Sequence, residues 1–147
     1  MTLRSALAAA ALLAAVSARA ADPGEEFAAK AAKEKGAVKT ESGLVYRSLK
    51  EGTGAQPLKT STVKVNYKGT LIDGTVFDAS DKHGGPATFP LNQVIRCWTE
   101  GVSMMKVGGK AQLVCPARIA YGSQGAGGLI PPNATLVFEV ELLAVVK

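Results

Sequence analysis

The stretch STVKVNYKGTL, residues 61–71, alternates with a period of two. Val63, Val65, Tyr67, Gly69 and Leu71 fall on one side, and Lys64, Asn66, Lys68 and Thr70 on the other. That period predicts a half-buried strand. Asp73-Gly74 follows, a two-residue hairpin signal, and TVFDAS returns as the partner strand. With two residues in the turn, opposed positions set Gly69 against Asp78, which places Asp78 on the face of Tyr67 and within reach of its hydroxyl. Phe77 then points to the other face unless the strand bulges. Leu44 and Tyr46, with Ser48, mark an earlier strand; Ala111, Leu113 and Cys115 mark a later one. The last strand carries Leu136, Phe138, Val140 and Leu142 inward and Glu139 and Glu141 outward. One helical stripe stands among them: Ile95, Trp98, Val102 and Met105 recur at helix spacing until Gly108-Gly109. Four or five antiparallel strands and one short amphipathic helix predict an α+β fold, with the helix covering one face of the sheet.

The N-terminal residues have a different texture. Residues 1–20 join an early cation, Arg4, to an Ala/Leu/Val run and an Ala18-Arg19-Ala20 ending. This is the outline of a secretory signal peptide, with cleavage expected after Ala20 and next best after Ala21. The run is too short to span a bilayer. Residues 21–39 are rich in Ala, Lys and Glu, with Gly36 as a stop, and predict a short, solvent-exposed, frayed helix. Residues 40–147 are left as the main domain.

Charge changes the picture little. The whole chain is +5; loss of Arg4 and Arg19 with the leader leaves fifteen cations against twelve acids, or +3. No block of like charge marks a nucleic-acid arm. Cys97 and Cys115 are bound for an oxidising compartment, which favours a structural disulfide over two separate buried thiols. The single histidine, His83, lies in DKHGGP, a poor place to fix a triad base. The glycines of residues 122–128 precede a strand rather than a helix, so they form no phosphate loop. Asp73, Asp78, Asp81 and Glu100 lack metal-loop spacing, and neither a metal nor a cofactor is expected. Asn133-Ala134-Thr135 fits a glycosylation sequon where a strand begins and decides nothing.

An apolar site survives these exclusions. Tyr67, Phe77, Phe89, Trp98, Tyr121 and Phe138 are nearly all the aromatics of the domain. Each one alone reads as core. Trp98 on the sheet-facing stripe and Tyr121 before a glycine-rich loop read better together as floor and wall of a pocket. Pro131-Pro132 restrict that loop before the last strand.

Three segments, VNYKGTLIDGTVFDAS, QVIRCWTEGVSMMKVGGKAQL and AYGSQGAGGLIPPNATLVFEVELL, resemble the signature segments of FK506-binding-protein-type peptidyl-prolyl cis/trans isomerases, in the same order. The resemblance covers residues 40–147. It implies a twisted antiparallel sheet wrapped around one short helix. It also implies a pocket carried by Tyr67, Phe77, Asp78, Val94, Ile95, Trp98, Tyr121, Ile130 and Phe138, with Phe89 as a less central wall. In that reading Trp98 is the floor for a proline ring, and Tyr121 and the Ile95 N–H hold carbonyls. Ala87 and Ala126 depart from the family, standing where many members have an aromatic and several a histidine; both trim the rim. The expected partners are unfolded or partly folded proline-containing polypeptides, with FK506- and rapamycin-like macrolides as inhibitors. A binding module with the same pocket and negligible turnover is the competing reading. Some exported relatives dimerise through a long helical N-terminal domain. Only about twenty residues precede the domain here, so a monomer is expected, in the periplasm or, alternatively, secreted.

Overall fold

Seven strands, all paired antiparallel, build one sheet. They are β1 (Ala37–Lys39), β2 (Val45–Lys50), β3 (Thr62–Leu71), β4 (Val76–Ala79), β5 (Ala87–Pro90), β6 (Lys110–Cys115) and β7 (Leu136–Val146). Among the described residues two α-helices accompany them, α1 (Pro23–Ala32) and α2 (Arg96–Val102). The structure is a computed structural model, and it describes residues 22–146; the expected signal peptide, residues 1–20, lies outside them. The strand order is β1-β2-β6-β7-β3-β4, and β5 pairs with β3. The pairings show that β4 and β5 share one edge of β3: residues 62–65 pair with β5 and residues 68–70 with β4, while β7 takes the opposite edge.

The alternating strands bury the side the pattern predicts. Val63 and Val65 on β3, and Leu136, Val140 and Leu142 on β7, have no solvent exposure. Ala111, Leu113 and Cys115 on β6 match them. Together with Trp98 and Val102 from α2 they form the main core. Seven strands exceed the four or five expected because β1 and β5, AVK and ATFP, are too short to show a period. Helix α2 is also shorter than its stripe: it stops at Val102, and Met105 reaches the core from the turn beyond it.

The Asp73-Gly74 turn differs from expectation. Leu71 N–H donates to Thr75 O at 2.9 Å and Gly74 N–H to Leu71 O at 3.0 Å, so three residues lie between the paired positions. Gly74 takes φ +91°, the left-handed conformation this loop class requires. Gly69 nevertheless faces Asp78, because Phe77 is inserted between the Thr70–Val76 and Gly69–Asp78 pairs as a bulge.

Helix α1 is docked, not frayed. Asp22 Oδ1 accepts from Gly24 N–H at 2.9 Å, Pro23 opens the first turn, and Glu25 and Glu26 sit where the helix dipole favours them. Phe27, Ala28 and Ala31 pack on Val45 and Val114, forming a second small core. Alanine suits this contact, since it lets the helix approach the sheet closely. Gly36, at φ +82°, turns the chain into β1.

Cys97 on α2 and Cys115 on β6 form a disulfide with Cα atoms 5.8 Å apart, and both residues are fully buried. The separate-thiol alternative is thereby excluded. The bond ties the helix that carries Trp98 to the centre of the sheet. The fold is thus α+β: an antiparallel sheet around one short amphipathic helix, with a second helix packed against β2 and β6.

Candidate active site

A cavity of about 520 Å³ opens between α2 and the sheet. Its floor is Trp98, one residue beyond the disulfide and only 5% exposed. Tyr67 enters from β3, Phe77 and Asp78 from β4, Phe89 from β5 and Phe138 from β7. Gln93, Val94 and Ile95 come from the chain leading into α2, and Tyr121 from the turn after β6. Ile95 is extended (φ −58°, ψ 149°), and its carbonyl accepts from Trp98 N–H and Thr99 N–H, which starts the helix.

The rings are arranged around Trp98. Tyr67, Phe89 and Phe138 each meet the indole edge-on, with centroids 5.3, 5.5 and 5.5 Å away. Phe77 meets Phe138 in the same way at 5.6 Å. Edge-to-face pairs of this kind add about 0.5–1.5 kcal/mol each beyond area burial, so the walls stay in place without a ligand. Gly69 makes the packing of Phe77 and Phe138 feasible: a Cβ there would lie 2.5 Å from Phe77 Cζ and 2.9 Å from Phe138 Cε1. The indole Nε1 of Trp98 is buried without a hydrogen-bond partner among the described residues.

One polar constellation stands at the rim. Tyr67 Oη donates to Asp78 Oδ2 at 2.8 Å, as the register implied. Asp78 Oδ1 accepts from Ala79 N–H at 2.9 Å and lies 2.8 Å from His83 Nε2. Burial pushes the Asp78 carboxyl up, but hydrogen bonds from His83, Tyr67 and the Ala79 N–H outweigh it and leave the group below its ordinary value. Tyr67 is pushed up to about 12, first by burial and then by its bond to Asp78. Burial, followed by the Asp78 charge, raises Tyr121 as well. Tyr67 is further pinned through Ser80, which is 2% exposed; its Oγ accepts from Tyr67 N–H at 3.1 Å.

Nine of the ten predicted site residues line this cavity; Ile130 does not. Ile130 instead packs in the main core at the base of the glycine loop, where it exchanges two 3.0 Å backbone hydrogen bonds with Ala126. Gln93 lines the cavity without having been singled out, since it belongs to no period. His83, set aside as unfixable, is fixed by the turn that follows β4. Among the described residues, no group of three or more His, Cys, Asp or Glu side chains is placed to hold a metal ion.

The pattern that defines FKBP-type peptidyl-prolyl cis-trans isomerases matches residues 53–143. The chain is 59% identical over 124 residues to the FKBP-type peptidyl-prolyl cis-trans isomerase FkpA of Aeromonas hydrophila, a match that covers 84% of this chain and 46% of that one. The chain spans about half the length of the first relatives it matches. Its fold superposes on the crystal structure of FkpA from Escherichia coli with a TM-score of 0.81 at 48% identity, covering 98% of this chain and 70% of that one. The peptidyl-prolyl cis-trans isomerase of Pseudomonas syringae pv. tomato gives 0.79 at 40% identity, covering 84% and 91%. Sequence, fold and cavity agree: the chain belongs to the family of FKBP-type peptidyl-prolyl cis-trans isomerases.

Proposed function

We propose that the cavity takes a prolyl side chain and accelerates cis/trans isomerisation of the peptide bond before it. The observation that carries this is the Trp98 floor ringed edge-on by aromatic walls, with its polar groups gathered at the rim. Amide resonance sets the uncatalysed barrier at about 18–20 kcal/mol. Rotation breaks no covalent bond, so the protein has only to favour the twisted amide over the planar forms. An apolar cavity does this by withdrawing water from the amide, because the planar, polarised form loses more solvation than the twisted one. Tyr121 Oη and the Ile95 N–H are suited to hold the flanking carbonyls. A thousandfold acceleration needs only about 4 kcal/mol.

The substrates in this reading are X-Pro segments of unfolded or partly folded polypeptides, and FK506- or rapamycin-like macrolides compete for the same walls. The leader-like residues 1–20 support an exported, periplasmic role. Among the described residues no helix is long and apolar enough to cross a membrane.

The test is the cis-to-trans rate of a short Xaa-Pro-Phe peptide, with wild type compared against Trp98→Leu and Tyr121→Phe. Strong, FK506-sensitive acceleration that falls at least tenfold in Trp98→Leu is expected, at about 1.4 kcal/mol per tenfold. A folded chain that binds FK506 but leaves the rate at background would make this a binding module.

A further inference from the structure

We infer that His83 is a positioning residue for the pocket: through the Asp78 carboxylate it holds the Tyr67 hydroxyl, and it does so more firmly when its imidazole is charged. The inference rests on the isomerase reading for its kinetic consequence, but its geometry stands alone.

Three groups lie in series. His83 Nε2 is 2.8 Å from Asp78 Oδ1, and Tyr67 Oη is 2.8 Å from Asp78 Oδ2. Tyr67 in turn packs edge-on against Trp98 at 5.3 Å. The His83 side chain is 61% exposed on a glycine-rich turn, yet this turn is anchored. Ser80, its first residue, is buried, and its single hydroxyl proton has two acceptors in reach, Asn66 Oδ1 at 3.2 Å and Tyr67 O at 3.3 Å. Gly85 N–H closes the turn onto Ser80 O at 3.1 Å, with Gly84 at φ +89°. Tyr67 from β3 and Tyr121 from the turn after β6 face Asp78, and Asp81 and Lys82 are the other charged residues of the turn that carries His83.

Chemistry sets the direction. A charged imidazolium makes a charge-assisted bond to the carboxylate, roughly twice as strong as the neutral one. Neutral imidazole donates from Nε2 in only one of its two tautomers. Asp78 is held below the ordinary carboxylate value and Tyr67 up to about 12. Imidazole is the side chain whose ordinary range puts its charge change near neutrality.

The chain has one histidine and one tryptophan, so both probe and reporter are unambiguous. The experiment follows Trp98 emission and kcat/KM for a non-titrating Xaa-Pro-Phe peptide from about pH 5.5 to 8.5, spanning the ordinary imidazole range. In wild type both change with pH, kcat/KM falling about three- to fivefold toward the alkaline end. His83→Arg, a permanent cation, holds the acid-side value throughout. His83→Ala holds the alkaline-side value throughout. A flat wild-type profile, or a transition that persists in His83→Ala, would overturn the inference. An emission transition lost in both variants, in a chain with no turnover at any pH, would support the linkage and overturn the isomerase reading instead.

Discussion

Tyr67 Oη and Asp78 Oδ2 meet at 2.8 Å because Phe77, adjacent to Asp78, is the extra residue of a bulge. A regular ladder continued from the Leu71–Thr75 pair would set Gly69 against Phe77 and turn Asp78 to the opposite face. The bulge therefore does two things: it brings the carboxylate to the tyrosine, and it lets neighbouring residues of one strand both line the cavity.

Removing either end of that hydrogen bond should have one shared effect. Asp78→Asn and Tyr67→Phe are each expected to lower kcat/KM about tenfold, with the double variant little worse than either, because the two act as a unit. Loss of stability should stay within about 2 kcal/mol by urea unfolding, since both groups reach water at the rim. Fully additive losses would show that they act separately.

Gly69→Ala should damage the pocket from behind. The added methyl would press on Phe77 and Phe138, two rings already locked edge-on. Overpacking of this kind costs about 1–3 kcal/mol. The expected result is a lowered thermal midpoint together with weaker FK506 binding measured by titration calorimetry. Unchanged binding in a destabilised protein would mean that the rings relax away from the cavity.

The disulfide should matter more for stability than for catalysis. Cys97 and Cys115 are 18 residues apart, and closing a loop of that size contributes about 3 kcal/mol in the chain-entropy account. A Cys97→Ala/Cys115→Ala double variant should unfold at lower denaturant by that amount while retaining most of its kcat/KM at 25 °C. Both residues have no solvent exposure, so reductant should act on the native protein only as fast as it opens.

Alkaline pH provides a signed test of the Tyr67 environment. Its folded pKa, about 12, exceeds the ordinary value of 10.0, so the folded state retains a proton that the unfolded chain releases. The stability this contributes is complete below pH 10 and lost as pH rises toward 12. The unfolding free energy should thus fall more steeply across that window in wild type than in Tyr67→Phe. Equal slopes would show that the hydroxyl is not held. The depressed Asp78 carboxyl works at the other end: its support is present above the ordinary carboxylate range and lost as pH falls through its folded value.

Much of this site was legible because its residues lie on periodic elements. Val63, Val65 and Tyr67 announce β3; Leu136, Phe138, Val140 and Leu142 announce β7; and Trp98 sits on the one helical stripe. The hairpin register was right at Gly69–Asp78 only because two departures cancel, a longer turn and a bulge, and neither is written in a period of two. Phe27 was missed as an anchor because one aromatic among alanines gives little apolar stripe, although Val45 and Val114 await it on the sheet. Gln93 and His83 come from turns, where position depends on tertiary anchoring such as the Ser80 hydroxyl. Ile130 was placed by its motif position alone; it packs with the core cluster that includes Phe77, Trp98 and Phe138, outside the lining of the cavity.

Strand β7 lies between β6 and β3, so the sheet's centre is supplied by residues 136–146. No earlier part of the described chain can stand in for it. Without those residues, no hydrogen-bonded ladder joins β1, β2 and β6 to β3, β4 and β5. Folding is therefore governed by contacts far apart in sequence, a topology that assembles slowly and late. A chain without β7 lacks the Phe138 wall and the two ladders that connect β3 to β6. The pocket is complete only once the last strand closes the gap.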